Sequence, residues 1–213
     1  MKNIILVGGA TGGGKEKFAN LIKDRFAQNA DIVTTHDMHW NLAQAGSLSK
    51  QESALMQEEP YDAGQFAKDG VKGNQRIIDG LNAQSDIVIR KGLMPYLNGK
   101  NESKGNLNVI VQGIQLVPAI VNSEIIIPNS DNVDVNIVPL IVTTGDQELY
   151  LQQIKELGGT ELEHRLGVFN NLLVIQDYLK NEVAKLKKFV HLENNRDENK
   201  NLRSIESLAS LLK

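Results

Sequence analysis

Residues 8 to 16 read GGATGGGKE and follow the apolar run NIILV. Five of the seven residues from Gly8 to Gly14 are glycine. Between a strand and a helix, such a loop lets successive backbone N–H groups converge on one anion, because glycine takes the positive φ values that the turn needs. The helix that follows adds the positive end of its dipole, and Lys15 can reach the outer phosphates of a polyphosphate. The expected phosphate-binding residues are Gly9, Ala10, Thr11, Gly12, Gly13, Gly14, Lys15 and Glu16. Gly9, Gly14 and Lys15 fit the Walker A spacing G-x-x-x-x-G-K-[ST], with Glu16 where a Ser or Thr hydroxyl would meet Mg²⁺. A carboxylate there is longer and places negative charge beside the β-phosphate, yet it can ligate Mg²⁺ directly or through water. The plainer role of Glu16 is to complement the helix dipole. Two other readings of the loop stay open: a relative of the dinucleotide fingerprint through Gly8 and Gly12, and a structural turn. The G-x-G-x-x-G spacing is absent and a dinucleotide site leaves Lys15 without a role, so polyphosphate is favoured.

Asp37 follows the second apolar run, at the strand end where α/β folds gather ligands. It is a candidate general base or metal carboxylate, so Glu16 and Asp37 are the candidate metal ligands; the alternative for Asp37 is a helix N-cap. Arg165 is either a charge that acts on a transferring phosphoryl group or an ion-pair partner of a residue such as Glu161. Lys15, Asp37 and Arg165 are thus the candidate catalytic set. Arg76, Arg90 and Lys91 could meet an anionic substrate or stand on solvated helix faces. Asn194 and Asn195 could meet a base edge or form a turn, and His39 and Trp40 could wall a ligand or simply pack. The chain has no cysteine, and its four histidines form no H-E-x-x-H pattern, which disfavours thiol chemistry and zinc.

These residues need a scaffold. The strand candidates Ile4 to Val7, Ile32 to Thr34, Val109 to Val111, Val135 to Val142 and Phe189 to Leu192 are continuous apolar runs, the pattern of a parallel sheet covered on both faces. Between them, Lys15 to Gln28 carries Phe18, Leu21, Ile22 and Phe26 at helical spacing, and Gly64 to Ile89 predicts one or two further helices. Gly145 to Leu186 is expected to be helical with a break at Gly158 and Gly159, either a hinge or a helix-ending turn. Leu97 to Asn106 and Ile127 to Asp134 read as irregular loops, and the chain closes on a further helix. The alternation argues for a doubly wound α/β fold.

A chain of 213 residues suits one domain with a lid rather than two cores. A net charge of −3 gives no electrostatic case for nucleic acid or an anionic membrane, and the Lys-rich stretch from Lys180 to Lys188 reads as a solvated helix face. No apolar run approaches the roughly 18 residues of a spanning helix, so a cytoplasmic location is expected.

Over nearly its whole length the chain resembles the P-loop kinases typified by 2-phosphoglycerate kinase. The resemblance rests on ILVGGATGGGKEKFA, on TTHD ending in Asp37, on VIVQGIQLVPAIV at 109 to 121, and on FNNLLVIQDYL with FVHLENN. It implies a P-loop NTPase-like three-layer α/β/α fold with a mostly parallel sheet, one domain over 1–213 and a helical lid at about 145–165. It also implies ATP with Mg²⁺ and a small-molecule acceptor, and it leaves the oligomeric state open. The departures are as telling. Glu16 replaces the hydroxyl after the lysine, Gln112 stands where an acidic residue is expected before Gly113, and MHWNLAQ after Asp37 has no arginine for a phosphorylated substrate. The lid segment DQELYLQQIKELGG carries only Lys155, with Arg165 beyond it, which leaves Lys100 and Lys104 or a partner chain to supply further charge. The expectation is an ATP-dependent phosphotransferase acting on a small hydroxylated metabolite other than 2-phosphoglycerate. The alternatives are a catalytically weakened nucleotide-binding protein and a phosphate binder without transfer.

Overall fold

The structure is a computed structural model that describes residues 2–59, 61, 62, 70, 72–101, 108–129, 132 and 134–212. Its strands are β1 Lys2–Gly8, β2 Asp31–Thr34, β3 Asn108–Gly113, β4 Val135–Thr143 and β5 Val190–Glu193. They pair in parallel throughout, in the order β2-β3-β1-β4-β5. Alternate side chains of β1 enter opposite cores. Ile5 and Val7 meet Phe18, Ala19 and Ile22 of α1 Lys15–Phe26, with Ile205 of α10 Glu198–Glu206. Ile4 and Leu6 pack on the other face with Ile89, Leu93 and Leu97. A strand buried on both faces has no polar side to show, which is why it reads as an unbroken apolar run. This is a three-layer α/β/α arrangement.

The remaining helices are α2 Thr35–Gln44, α3 Lys50–Leu55, α4 Gly73–Ile87, α5 Met94–Asn101, α6 Pro118–Val121, α7 Gln147–Leu157, α8 Leu162–Gly167 and α9 Phe169–Ala184. Helix α4 runs into α5 through a wider π-helical stretch at Val88–Leu93, and α6 continues similarly through Asn122–Ile126. The wide stretch after α4 lies against α2, and Gly92 permits the approach: a Cβ there would stand 3.3 Å from Leu42 and 3.4 Å from Met38. The loop expected from Leu97 is therefore helical as far as Asn101. Its Asn, Gly and Lys content suggested a loop, but Leu97 is buried in the core and anchors the last turn. The rest of that segment, including Lys104, lies outside the described residues, as do the side chain of Lys100 and most of the stretch from Gly64 to the start of α4. Gly158 and Gly159, both at positive φ, close α7 and make the turn to α8.

Two devices align the ends of the sheet. At the amino ends an amide ladder crosses three strands, Asn136 donating to Asn3 and Asn3 to Asn108, each at 2.9 Å. Pro139 sits one residue before the pairing of β4 with β5 begins at Leu140, where β4 is an edge and the missing N–H is tolerated. At the carboxyl ends Gly113 closes β3 against Thr35, whose hydroxyl donates to buried Gln115 at 2.5 Å. A Cβ on Gly113 would overlap that hydroxyl, and the bond to Gln115 keeps Thr35 from turning away. Gly113→Ala should cost at least the roughly 1–3 kcal/mol typical of overpacking, read as a lower urea midpoint with an unchanged m-value. An unchanged midpoint would show that α2 moves freely at its start.

Candidate functional site

All five strands point their carboxyl ends to one edge, and the chain folds the glycine loop, the start of α2, the end of β3 and the α7–α8 turn around it. The loop itself is fixed from behind. Gly12 and Gly14 hold φ values of 76° and 90°, and side chains there would collide with Ile154 and Asn194, respectively. The Tyr150 hydroxyl donates to the Thr11 carbonyl at 2.8 Å, the Thr144 hydroxyl to the Gly13 carbonyl at 3.2 Å, and the Gly13 N–H to the Ala10 carbonyl at 3.0 Å. Thr144 is in turn clamped by the side-chain amide of Gln176, which donates to its carbonyl and accepts from its N–H, both at 2.8 Å. With these carbonyls engaged and no side chain capping α1, the N–H groups of its first turn are left for a ligand.

Lys15 is half-buried at the mouth of the loop, and its ammonium rests 3.3 Å from the Ala10 carbonyl. Burial lowers its pKa to about 8, against a smaller opposing pull from Glu16. A cation kept partly dehydrated and close to neutrality gains from a polyanion.

Two cavities open beside Lys15. One, of about 570 Å³, lies over the loop and α1 and reaches Gln153, Glu156 and Leu157 of α7. The other, of about 310 Å³, lies between α2, the end of β3 and the segment after α3, with Asp37, Glu59, Tyr61, Gln112 and Glu161 in its wall. Thr11, Lys15, Glu16 and Arg165 line both.

The structure therefore brings Lys15, Glu16, Asp37 and Arg165 around one junction. The cap of α2 is not Asp37 but Thr34, whose hydroxyl accepts from the Asp37 N–H at 3.0 Å and leaves the Asp37 carboxylate exposed towards the second cavity. Arg165 forms the expected ion pair, bonding Glu161 at 2.7 Å and the Gly158 carbonyl at 3.1 Å, and it also lines both cavities. Other candidates lie elsewhere. Arg90 pairs with Asp86 and Glu124, and Lys91 with Glu52. Asn194 is buried behind the loop at hydrogen-bonding distance from Thr144 and Asn201, and Asn195 donates to the Glu193 carbonyl, so neither side chain is presented to a base. His39 is buried against Trp40, and that burial lowers its pKa to about 4, with the Met56 backbone opposing and His36 adding to the fall. It is packing, whereas His36 faces the second cavity. Sequence reasoning missed Glu59, Tyr61, Gln115, Thr144, Tyr150 and Gln176, whose roles arise from contacts between distant segments.

Among the described residues no group of three or more His, Cys, Asp or Glu could hold a metal, and no helix is long and apolar enough to cross a membrane. Glu16 and Asp37 share a cavity, a donor set that suits Mg²⁺ arriving with phosphate oxygens, since that ion needs only one or two carboxylates when phosphates supply the rest.

The loop, the parallel sheet and its flanking helix layers make a P-loop NTPase-like fold. No family model matches the chain, and no curated protein matches it. Solved structures that it resembles include shikimate kinase from Acinetobacter baumannii in complex with shikimate, at 15% identity and a TM-score of 0.45, covering 99% of this chain and 92% of that one. A protein from Eubacterium ventriosum aligns at 13% identity and a TM-score of 0.48 over 99% of both chains. Dephospho-CoA kinase from Campylobacter jejuni aligns at 12% identity and a TM-score of 0.41 over 100% of this chain and 98% of that one. At these values the likenesses fix neither activity nor substrate.

The lowered pKa of Lys15 makes a prediction about pH. Below about 8 the free protein already carries the ammonium; above it, the lysine must regain a proton to meet a polyphosphate. Affinity for tripolyphosphate should then fall by up to about tenfold per pH unit above that point, with proton uptake on binding. Calorimetry at pH 7 and 9 in buffers of different ionisation heat measures both, and equal affinity without proton uptake would contradict the assignment of Lys15.

Proposed function

We propose that the protein binds ATP at the glycine loop and transfers its γ-phosphoryl group to a hydroxyl of a small metabolite. The observation that carries this reading is the pair of cavities that meet at Thr11, Lys15, Glu16 and Arg165. A binding protein needs one cavity beside its phosphate loop. A second that shares the same lysine is what an acceptor requires for in-line displacement.

In this reading the backbone of Gly9 to Gly14 holds the β- and γ-phosphates and Lys15 neutralises them. Arg165 faces the phosphoryl group in transit. Asp37 takes the proton of the acceptor hydroxyl as its oxygen bonds to the γ-phosphorus and the bond to the bridging oxygen breaks, with ADP as leaving group. Glu16, with Asp37 beside it, would hold Mg²⁺, which supplies neutralising charge to the phosphate oxygens. The segment that includes α7 and α8 is the lid of a single domain, and the Gly158 turn joins its two helices. Phosphate-loop kinases are the family class this arrangement fits, and the lack of arginines after Asp37 argues against 2-phosphoglycerate as acceptor.

A second reading has its own support. Glu16 replaces the usual hydroxyl and Gln112 is uncharged where catalysis would favour a carboxylate, so the site could bind nucleotide as a sensor without efficient transfer. The slow transfer of phosphoryl to water tells the readings apart. ADP release from MgATP, followed in a coupled assay, should fall at least 100-fold in Lys15→Met and about 100-fold or more in Asp37→Asn, while Asp37→Asn still binds ATP. An Asp37→Asn rate equal to the parent would remove Asp37 from the mechanism. Tight ATP binding with no release in the parent protein would establish the sensor.

A further inference from the structure

The second cavity carries an excess of negative charge. Glu16, Asp37, Glu59 and Glu161 line it, against Lys15, Arg165 and the imidazole of His36. Both cations have commitments. Lys15 belongs to the phosphate loop, and Arg165 is bonded to Glu161 at 2.7 Å. Glu59 has no such partner: it forms no ion pair among the described residues, it is half-buried, and burial pushes its carboxyl pKa up. His36 and Arg165 oppose that rise only in part, so the carboxylate gains from a further positive charge.

An independent feature points the same way. Gln112, at the end of β3, lines the cavity with an amide oxygen that is buried and has no hydrogen bond. A buried acceptor left unpaired costs free energy until a donor arrives. A hydroxyl or an ammonium group satisfies it; a carboxylate or phosphate, which only accepts, does not. The wall also holds an unpaired donor, the buried Arg165 Nε, which the phosphoryl group in transit would satisfy in the phosphoryl-transfer reading.

Building on the phosphoryl-transfer reading, we propose that the acceptor is a hydroxyl compound that also carries an ammonium group, an amino alcohol or amino sugar, held between Glu59 and the Gln112 amide. The hydroxyl is the nucleophile. It loses its proton to Asp37 as its oxygen bonds to the γ-phosphorus, ADP departs, and the ammonium passes through the reaction unchanged. An anionic acceptor of the same size meets like charge from Glu59 and Asp37, while the lysine and arginine of the cavity wall, Lys15 and Arg165, are engaged by the phosphates and by Glu161.

The test uses the full chain with MgATP and two matched sets of probes: glucosamine, glucose and glucuronate, then ethanolamine, ethylene glycol and glycolate. Calorimetry first establishes MgATP binding, and ADP release is then followed against the rate without acceptor. At least one cationic probe should raise kcat/KM at least tenfold over its anionic counterpart. In Glu59→Gln that preference should shrink at least fivefold through a higher KM for the cationic probe, with no loss towards the anionic one. Equal or greater use of the anionic probes overturns the proposal, as does no response to either cationic probe in protein that binds MgATP. A preference unchanged in Glu59→Gln also overturns it. Failure to bind MgATP would instead overturn the phosphoryl-transfer reading.

Discussion

A loop that offers its N–H groups to an anion must dispose of its carbonyls, and the rest of this structure follows from how it does so. Each peptide unit in the glycine loop turns its donor one way and its acceptor the other. Thr11 and Gly13 direct their carbonyls to the hydroxyls of Tyr150 and Thr144, and Ala10 directs its carbonyl to the N–H of Gly13. Without those partners, the carbonyls would either be buried unpaired or rotate into the site. The Gln176 clamp on Thr144 therefore acts on the phosphate loop although it lies on a different helix.

This constraint ties the fold to the site. Tyr150 comes from α7, Thr144 from the residue just after β4 and Gln176 from α9, so the loop is shaped only when the sheet and one helix layer are in place. Gly12 and Gly14 are required twice over, for left-handed backbone and for room beside Ile154 and Asn194. The same α7 that supplies Tyr150 walls the larger cavity, and the turn at its end supplies the carbonyl that Arg165 holds. Movement of that turn would be felt at the loop.

The local parts of this design were legible in the sequence. The glycine run, Lys15 and the apolar strands each act through neighbours in the chain, and the structure places them where their pattern required. Asp37 was legible too, because a residue just past a strand end in a parallel sheet has few places to be. Gln176, Tyr150 and Glu59 were not, since their partners lie far along the chain: Tyr150 meets a carbonyl 139 residues away. Composition misled where tertiary contact overrode it, as when Leu97 buried itself and kept a helix going into a stretch rich in Asn, Gly and Lys. Gln112 stood out in the sequence only as a departure from an acidic position; the structure gives it a second meaning, an unpaired acceptor in a cavity wall.

In the proposed function the loop, with Glu16 in place of a hydroxyl, still takes nucleotide together with Mg²⁺. Isothermal titration of the protein with ATP and with ADP, each with and without Mg²⁺, tests it most directly. ATP should bind in the micromolar range and at least tenfold more tightly with Mg²⁺. Absence of ATP binding at millimolar concentration, with or without the metal, would contradict it.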